Sequence, residues 1–250
     1  TLNILENFDL SMLTEEQWAA VVNQALAIAI NSMAEDRAEL DLERVSDKGW
    51  AAEQAASIRI PADHAEVAGI AAREKTTLAA TDWSGSNWGP DSHHTTHFTI
   101  VDCQGGIVSI TQTVGPLFGS RVITPELGFV YATTMGSYLQ EADQVPGSRP
   151  RTTIAPTIVT RDGEVVLALG AAGGIRILSA IVQTISRVID QGHDPVTAVA
   201  LPRVHPERLT DDNGERRSHG DKINLEMTPE RGWEPEIAAY LEADGFEVLR

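Results

Sequence analysis

The stretch TTHFTIVDCQGGIVSITQT, residues 95–113, decides the fold because it predicts a β-hairpin. Two runs rich in Thr, Ile, Val and Phe, residue types that favour strands, flank the turn-forming sequence Gln104-Gly105-Gly106. Folding the chain about this turn places Thr113 nearly opposite Thr95, with a register good to about a residue or two. The prediction therefore brings two threonine hydroxyls together at the open end of the hairpin.

Three interpretations of this stretch compete. His93 and His97 would share one strand face and could bind a metal with the nearby aspartates, but zinc sites use three or four ligands and the sequence has no second His/Cys cluster. The stretch could be an ordinary hairpin, which the residue types alone favour. Thr95 could instead become a new N-terminus if the bond between His94 and Thr95 is cut.

A cut before Thr95 would give this residue a free α-amino group. Such an amine has a pKa of roughly 7.7–8.0, so part of it is neutral near pH 7 and accepts a proton. One residue then supplies both the nucleophilic hydroxyl and the base. The segment 75–94 is rich in Ser, Thr, Gly and Asn and has almost no periodicity, so it predicts the exposed linker that a cut requires.

A glycine pair, Gly173-Gly174, lies between a predicted strand and the most strongly helical segment of the chain. Free N–H groups at a helix start are natural oxyanion donors, and glycine lets a substrate approach the backbone closely. The pair alone is a weak indication of a site. Together with Thr95 and Thr113 it favours one.

Composition limits the classes of function. The chain has 250 residues, a hydrophobic content of 42% and a formal charge of −17, which predict one globular unit with a sizeable core. The charge argues against nucleic acid and against anionic membranes as partners, because no basic stripe is present to bind phosphates. No apolar run is long enough to span a bilayer, and Cys103 has no second cysteine to pair with.

The rest of the chain predicts helices before and after two hairpins. The expected elements are a helix with a capping box at Thr14, helices over 49–58 and 62–73, a second hairpin about Asp162-Gly163, a strong amphipathic helix that stops at Gly192, a short helix from Pro195 to Leu201, and a terminal helix and strand within 234–250. This order predicts α+β layers.

Four motifs in their order and spacing, TTHFTIVDCQGGIVSITQT, RPRTTIAPTIV, GAAGGIRI and VIDQG, resemble the small catalytic chain of gamma-glutamyltranspeptidases. The resemblance covers essentially the whole sequence. Residues 1–94 are similar to the C-terminal part of the family's large chain, ending in a cleavable linker, and residues 95–250 are similar to the small chain. The resemblance implies one structural domain with the four-layer αββα sandwich of N-terminal-nucleophile hydrolases, matured from a zymogen by autocatalytic cleavage.

The resemblance also implies catalytic roles. Cleavage would fall between His94 and Thr95, and Thr95 would be the nucleophile and the first residue of the small chain. Thr113 would be the threonine that assists it. Gly173 and Gly174 would line the oxyanion hole.

The substrate-binding positions depart from the family pattern. Thr152 and Thr153 stand where the family has a serine pair that holds the substrate carboxylate, although simple turn chemistry would also explain them. Gly115 replaces a typical asparagine. Thr134 and Ser137 stand where acidic or amide side chains hold the substrate ammonium, and two neutral hydroxyls would hold an ammonium poorly because charge-assisted bonds are the strong ones.

These implications predict a gamma-glutamyltranspeptidase-like amidohydrolase or acyltransferase that needs no metal or organic cofactor. It would cleave gamma-glutamyl amides such as glutathione, or a related small-molecule amide. The alternative is a non-catalytic member that acts as a binding or structural protein. Because the chain opens at Thr1 without a methionine, we expect a piece of a longer protein whose upstream part completes the site. The sequence shows no signal peptide and does not name the compartment; a periplasmic or extracellular location is compatible with the family.

Overall fold

The computed structural model describes residues 1–35, 42–62, 93–134, 145–148, 152–210, 216–226 and 231–249. Its helices are α1 (Leu2–Leu5), α2 (Glu15–Glu35), α3 (Leu42–Ser46), α4 (Lys48–Ala55), α5 (Arg176–Ile189), α6 (Pro195–Ala200) and α7 (Pro235–Ala243). Its strands are β1 (His93–Val101), β2 (Ile107–Pro116), β3 (Thr157–Arg161), β4 (Glu164–Leu169), β5 (Arg203–Thr210), β6 (Arg216–Glu226) and β7 (Glu247–Leu249). None of the described helices is long and apolar enough to cross a membrane.

The chain divides into two compact units. The first unit contains residues Thr1–Ala80 and Val182–Arg250, and the second contains Thr81–Ile181. The first unit holds a sheet in which β6 pairs antiparallel with β5 and parallel with β7. The second unit holds two antiparallel hairpins, β1–β2 and β3–β4. This mixture confirms the α+β prediction, while the four-layer sandwich and the single domain stay predictions.

Helix α2 organises the core of the first unit. It begins with the predicted capping box: the Gln17 N–H donates to Thr14 Oγ1 at 3.4 Å, and the Thr14 N–H donates to Gln17 Oε1 at 3.2 Å. Trp18, Val22 and Leu26 follow at helical spacing, and each is at most 1% exposed. This apolar stripe packs on β5 and β6, so the helix buries its face against a sheet.

A buried arginine joins α5 to α2 within this unit. Arg187, 1% exposed, donates from Nη1 and Nη2 to the two carboxylate oxygens of Glu15 at 2.6 and 2.8 Å. Its guanidinium lies 3.7 Å from the centre of the Trp18 ring. The charge is therefore both paired and stacked, which is what allows an arginine to be buried.

Strands β5 and β6 are not predicted by the sequence pattern. Pro206 and several charged residues interrupt any strand pattern in them. The strands form where single apolar residues, Val204 and Ile223, are fully buried. Helix α2 also holds β6 directly, because Asn23 Nδ2 donates to the Gly220 carbonyl at 3.0 Å. Tertiary contacts stabilise this hairpin where local propensity does not.

Both predicted hairpins are confirmed in the second unit. The β1–β2 turn is fixed by Asp102, whose Oδ1 accepts the N–H groups of Gln104 and Gly106, each at 2.8 Å. The β3–β4 turn has Asp162 at a φ of 53° and Gly163 at 86°, the left-handed pair of a type I′ turn. Residues 63–73 of the helix predicted over 62–73 and residues 75–92 of the predicted linker lie outside the described residues, and residues 93–94 belong to β1.

The predicted helix after the glycine pair is also confirmed. Helix α5 follows Gly174 and ends at Ile189, and Gly192 has the left-handed φ of 74° expected past a helix end. Asp194 then caps α6 by accepting the N–H groups of Val196 and Thr197. The terminal helix and strand are found as α7 and β7.

Candidate active site

One face of the β1–β2 hairpin carries hydroxyl and imidazole side chains. The cross-strand pairs Thr95–Thr113, His97–Thr111 and Thr99–Ser109 lie at alternate positions, so their side chains share one face. We call these six residues the hydroxyl face. All of them except Thr99 are half-buried. The opposite face presents apolar side chains to solvent, with Ile100 57% exposed, so the usual inside-outside pattern is inverted.

Thr95 and Thr113 are direct cross-strand partners, which confirms the predicted register. The ladder is irregular between His94 and Thr95, so the strand loses its regular pairing at the bond that is predicted to be cut. Thr113 Oγ1 accepts the N–H of Gly115 at 3.1 Å. A second hydroxyl therefore lies beside the candidate nucleophile and is held by the backbone of its own strand.

Gly115 pairs with His94 and is buried. Its φ of 83° lies in the left-handed region that favours glycine. Glycine at this position therefore has a backbone reason. The predicted role of Gly115 in substrate binding stays a prediction.

Thr134 lies close to the same end of the hairpin. Its neighbour Thr133 donates its N–H to the carbonyl of Val114 at 3.0 Å, which attaches this segment to β2 between Thr113 and Gly115. Thr134 is half-buried. Thr133 was not predicted to take part in this attachment. Ser137, the other residue expected near the substrate ammonium, lies outside the described residues.

The glycine pair forms the turn that leads into α5. Gly173 has a φ of 144° and Gly174 one of 58°, and their carbonyls accept the N–H groups of Arg176 and Ile177 at 3.1 and 3.2 Å. Neither glycine N–H donates a hydrogen bond within the described part of the chain. Two backbone donors are thus available at a helix start, as an oxyanion site requires.

The two threonines before β3 behave differently from each other. Thr153 Oγ1 donates to the Gly174 carbonyl at 2.7 Å, so the structure brings Thr153 to the glycine turn. Thr152 Oγ1 accepts the N–H of Ile154 at 3.0 Å, which is local turn chemistry, and its side chain is exposed. The predicted role of both residues in holding a carboxylate stays a prediction.

The end of β4 is attached to the hydroxyl face. Ser109 Oγ donates to the Leu169 carbonyl at 3.2 Å. The imidazole of His97 lies against Gly170, where a β-carbon would come within 2.8 Å of His97 Cγ. From the sequence, His97 is a candidate metal ligand only, and its contact with Gly170 is not predicted. The spacing of two residues between Thr95 and His97 does place both side chains on one face of the strand.

Metal ligation finds no support in the part of the chain that is described. No group of three or more His, Cys, Asp or Glu residues there could hold a metal ion. Both ring nitrogens of His97 are engaged by threonine hydroxyls, and Asp102 is engaged by the turn of its own hairpin. The side chain of His93 lies outside the description.

Comparisons with known proteins extend over the whole chain. The family model described as gamma-glutamyltranspeptidase matches residues 1–250. An acylase ACY 1 proenzyme from Pseudomonas sp. (strain V22) is 32% identical over 217 residues, which cover 82% of this chain and 36% of the relative. A glutathione hydrolase proenzyme from Escherichia coli (strain K12) is 30% identical over 172 residues, which cover 63% of this chain and 27% of the relative.

Solved structures match nearly the full length of the chain. The cephalosporin acylase from Bacillus halodurans aligns with 99% of this chain and 41% of its own, with a TM-score of 0.65 and an identity of 18%. At that identity the likeness concerns the fold alone. The chain spans about a third of the curated relatives described above, 36% of one and 27% of the other.

Proposed function

Because the chain belongs to the gamma-glutamyltranspeptidase family, we propose that it forms the nucleophile-bearing part of an N-terminal-nucleophile amidohydrolase. The observation that supports this function best is the pairing of Thr95 with Thr113 on the half-buried hydroxyl face. A hydroxyl that is partly shielded from water and has a second hydroxyl beside it suits a nucleophile. The irregular ladder before Thr95 suits a bond that must be accessible to cleavage.

The proposed reaction begins with cleavage between His94 and Thr95, which frees the α-amine of Thr95. This amine takes the proton of Thr95 Oγ while the oxygen attacks the substrate carbonyl carbon. The carbon–nitrogen bond then breaks, the proton passes from the α-amine to the leaving amine, and the acyl group remains on Thr95. Water attacks this ester and releases the acid, or an amine attacks it and forms a new amide.

The charge that develops on the carbonyl oxygen requires fixed donors. The N–H groups of Gly173 and Gly174 are the candidates, because the carbonyls of this turn are engaged and no described residue accepts a hydrogen bond from its N–H groups. A preorganised donor of this kind is typically worth about 10²–10³ in kcat. The proposed role of Thr113 is to position the Thr95 hydroxyl and stabilise the charge that it develops.

Adjacent threonines offer a matched test of the nucleophile. Thr96 follows Thr95 on the same strand, but its side chain is exposed and points to the opposite face. We propose that this chain is part of a longer protein, because it covers only part of its relatives, and we call that protein the full-length parent. In the full-length parent, Thr95→Ala should abolish both self-cleavage and amide hydrolysis, whereas Thr96→Ala should retain both. Intact mass under denaturing conditions measures self-cleavage, and the rate of anilide hydrolysis measures amide hydrolysis. An uncut, inactive parent would favour the alternative of a non-catalytic binding or structural member.

The substrate is proposed to be an acyl amide whose recognition depends little on an ammonium group. Thr134, half-buried beside the end of β2, supplies a hydroxyl where the family is expected to use a charged or amide group. Ser137 is proposed to supply a second hydroxyl. Relatives of the chain are called both glutathione hydrolase and acylase, so gamma-glutamyl amides remain the second candidate class.

Two anilides that differ only in the ammonium decide between these classes. A gamma-glutamyl anilide carries the α-amine, and a glutaryl anilide lacks it. We expect the parent to hydrolyse them with specificity constants within about tenfold of each other, because losing a charge-assisted bond costs roughly 1.5–3 kcal/mol and here no such bond is expected. A preference for the gamma-glutamyl anilide above about a hundredfold would assign the glutamyl class instead.

Residues upstream of Thr1 in the longer protein are proposed to complete the site and the four-layer αββα sandwich. The relatives that the chain matches are longer, and the apolar face of β1–β2 is open in this chain. Phe98, Ile100, Val108 and Ile110 on that face are each at least 37% exposed. Covering such a sheet face with another layer is the usual way in which a sheet completes its core.

A further inference from the structure

The imidazole of His97 is held in one orientation. It belongs to the hydroxyl face, two residues after Thr95. Its Nδ1 lies 2.8 Å from Thr111 Oγ1, and its Nε2 lies 3.1 Å from Thr99 Oγ1. A hydroxyl can donate or accept, so the two threonines satisfy both nitrogens in either tautomer. The ring is therefore fixed at both ends and has no free nitrogen with which to carry a proton to a substrate.

The ring lies directly against the backbone of Gly170. A β-carbon on this residue would lie 2.8 Å from His97 Cγ and closer still to Nδ1 and Cε1. Real β-carbons do not approach other atoms this closely, so only glycine fits while the ring stays where the threonines hold it. Gly170 does not have a left-handed φ, so the close approach to His97 is the feature that requires glycine here.

Gly170 connects this contact to the candidate oxyanion turn. It follows the last residue of β4 and precedes Gly173 by three residues, in the sequence Gly-Ala-Ala-Gly-Gly. On its N-terminal side, the Leu169 carbonyl is bonded by Ser109 of the hydroxyl face. The segment that leads to the glycine turn is therefore held at its start by two side chains of the β1–β2 hairpin, Ser109 at Leu169 and His97 at Gly170.

We propose that His97 is a positioning residue that sets the distance between the strand of Thr95 and the turn of Gly173 and Gly174. This role rests on the proposed function, because it matters only if Thr95 attacks a carbonyl whose oxygen those two glycines bind. His97 acts through Gly170 and does not itself contact the reacting atoms. A misplacement of about 1 Å between such groups costs on the order of 10²-fold in rate.

The test uses the full-length parent and the gamma-glutamyl or glutaryl anilide that it hydrolyses faster, with rates expressed per chain that begins at Thr95. Gly170→Ala should lower kcat by about 10²-fold and change KM by less than about threefold, since alignment affects the transition state more than substrate binding. In the double variant His97→Ala/Gly170→Ala the methyl group occupies space that the ring has vacated. Its kcat should exceed that of Gly170→Ala by about tenfold or more.

A matched control lies at the other end of the same hairpin. A β-carbon on Gly106 would come within 2.7 Å of Asp102 Oδ2, a similar overlap at a site remote in the ladder from Thr95. Gly106→Ala should therefore keep kcat within about threefold of the parent, although the added β-carbon strains the turn. Loss of activity there as large as in Gly170→Ala would mean that any strain in the hairpin is sufficient, and would overturn the role of His97.

A conservative substitution keeps the test valid if Gly170→Ala does not fold. His97→Asn preserves a polar atom near the position of Nδ1 and should retain more activity than His97→Ala, which we expect to lose about tenfold in kcat. Equal kcat in these two variants, or strictly additive effects of His97→Ala and Gly170→Ala, would overturn the inference. A parent that is not cut before Thr95, or that hydrolyses neither anilide, would contradict the proposed function instead.

Discussion

The two units of the chain solve the problem of burial in different ways. In the first unit, helix α2 and the β5–β6–β7 sheet enclose a contiguous core of apolar side chains, with Trp18, Leu26 and Ile223 at most 1% exposed. In the second unit, the β1–β2 hairpin has its hydroxyl side chains on the half-buried face and its apolar side chains on the exposed face. Every candidate catalytic residue lies in this second unit.

The first unit therefore contributes most to stability, and the second unit carries the candidate catalytic residues. A closed apolar core contributes most of the free energy of folding, and the first unit has one. The hydroxyl face contributes little apolar burial, but it places Thr95, Thr113 and His97 in one row. When one face of a sheet carries the polar groups of a site, its apolar side chains lie on the opposite face and need another layer to bury them. In this chain that opposite face is exposed to solvent.

The largest effect that this comparison predicts is in amide hydrogen exchange of the 250-residue chain. Amides of β6 should exchange slower than amides of β2 by roughly a thousandfold, because β6 opens only when the complete core opens and β2 opens locally. Exchange measured by mass spectrometry on peptides from both strands checks this. In the full-length parent the β2 amides should become protected as well. Equal protection of the two strands in the 250-residue chain would show that the two units do not differ in local stability.

The second effect concerns the buried charge of the first unit. Arg187→Ala should lower the free energy of unfolding by about 3 kcal/mol, because it removes a large, fully buried side chain and the cation stacked on Trp18. Chemical denaturation followed by tryptophan fluorescence measures the change.

Lys48→Ala is the matched control for the buried arginine. Lys48 also pairs with a glutamate of the first unit, Glu6, but its side chain is 66% exposed. Exposed pairs typically contribute about 1 kcal/mol or less, so this variant should unfold nearly as the parent does. Similar losses in both variants would show that burial is not what makes Arg187 important.

The third effect concerns the second unit and changes activity with little effect on folding. Thr113→Val should lower kcat of the full-length parent by about a hundredfold, because it removes the hydroxyl opposite Thr95 and keeps the shape of the side chain. Thr160→Val, at an exposed position of β3 outside the hydroxyl face, should leave kcat unchanged. A fully active Thr113→Val variant would reduce Thr113 to a strand residue.

The sequence predicts this fold best where local signals are strong. Thr14 and Gln17 predict the start of α2, and Asp162-Gly163 predicts a turn that the structure confirms. The pairing of Thr95 with Thr113 follows from the turn at Gln104 and the period of two along a strand. These features depend on residues that are close together in the chain, so the local sequence predicts them.

Features that depend on distant residues escape such prediction. Strands β5 and β6 form because α2 covers Val204 and Ile223, and no local pattern announces them. The contact of His97 with Gly170 joins two hairpins far apart in sequence, and in the sequence Gly170 is one of several glycines near α5. Thr133 likewise becomes relevant only through its bond to Val114.

Thr95 is proposed to become the N-terminal residue of a catalytic chain. The most direct measurement is the N-terminal sequence of the smaller fragment after the full-length parent has matured, supported by intact mass under denaturing conditions. We expect a fragment that begins Thr-Thr-His-Phe, and we expect this fragment to be absent in the Thr95→Ala variant. An active protein that remains one uncut chain, or whose fragment begins at Thr96 or elsewhere, would overturn the assignment of Thr95 as the nucleophile.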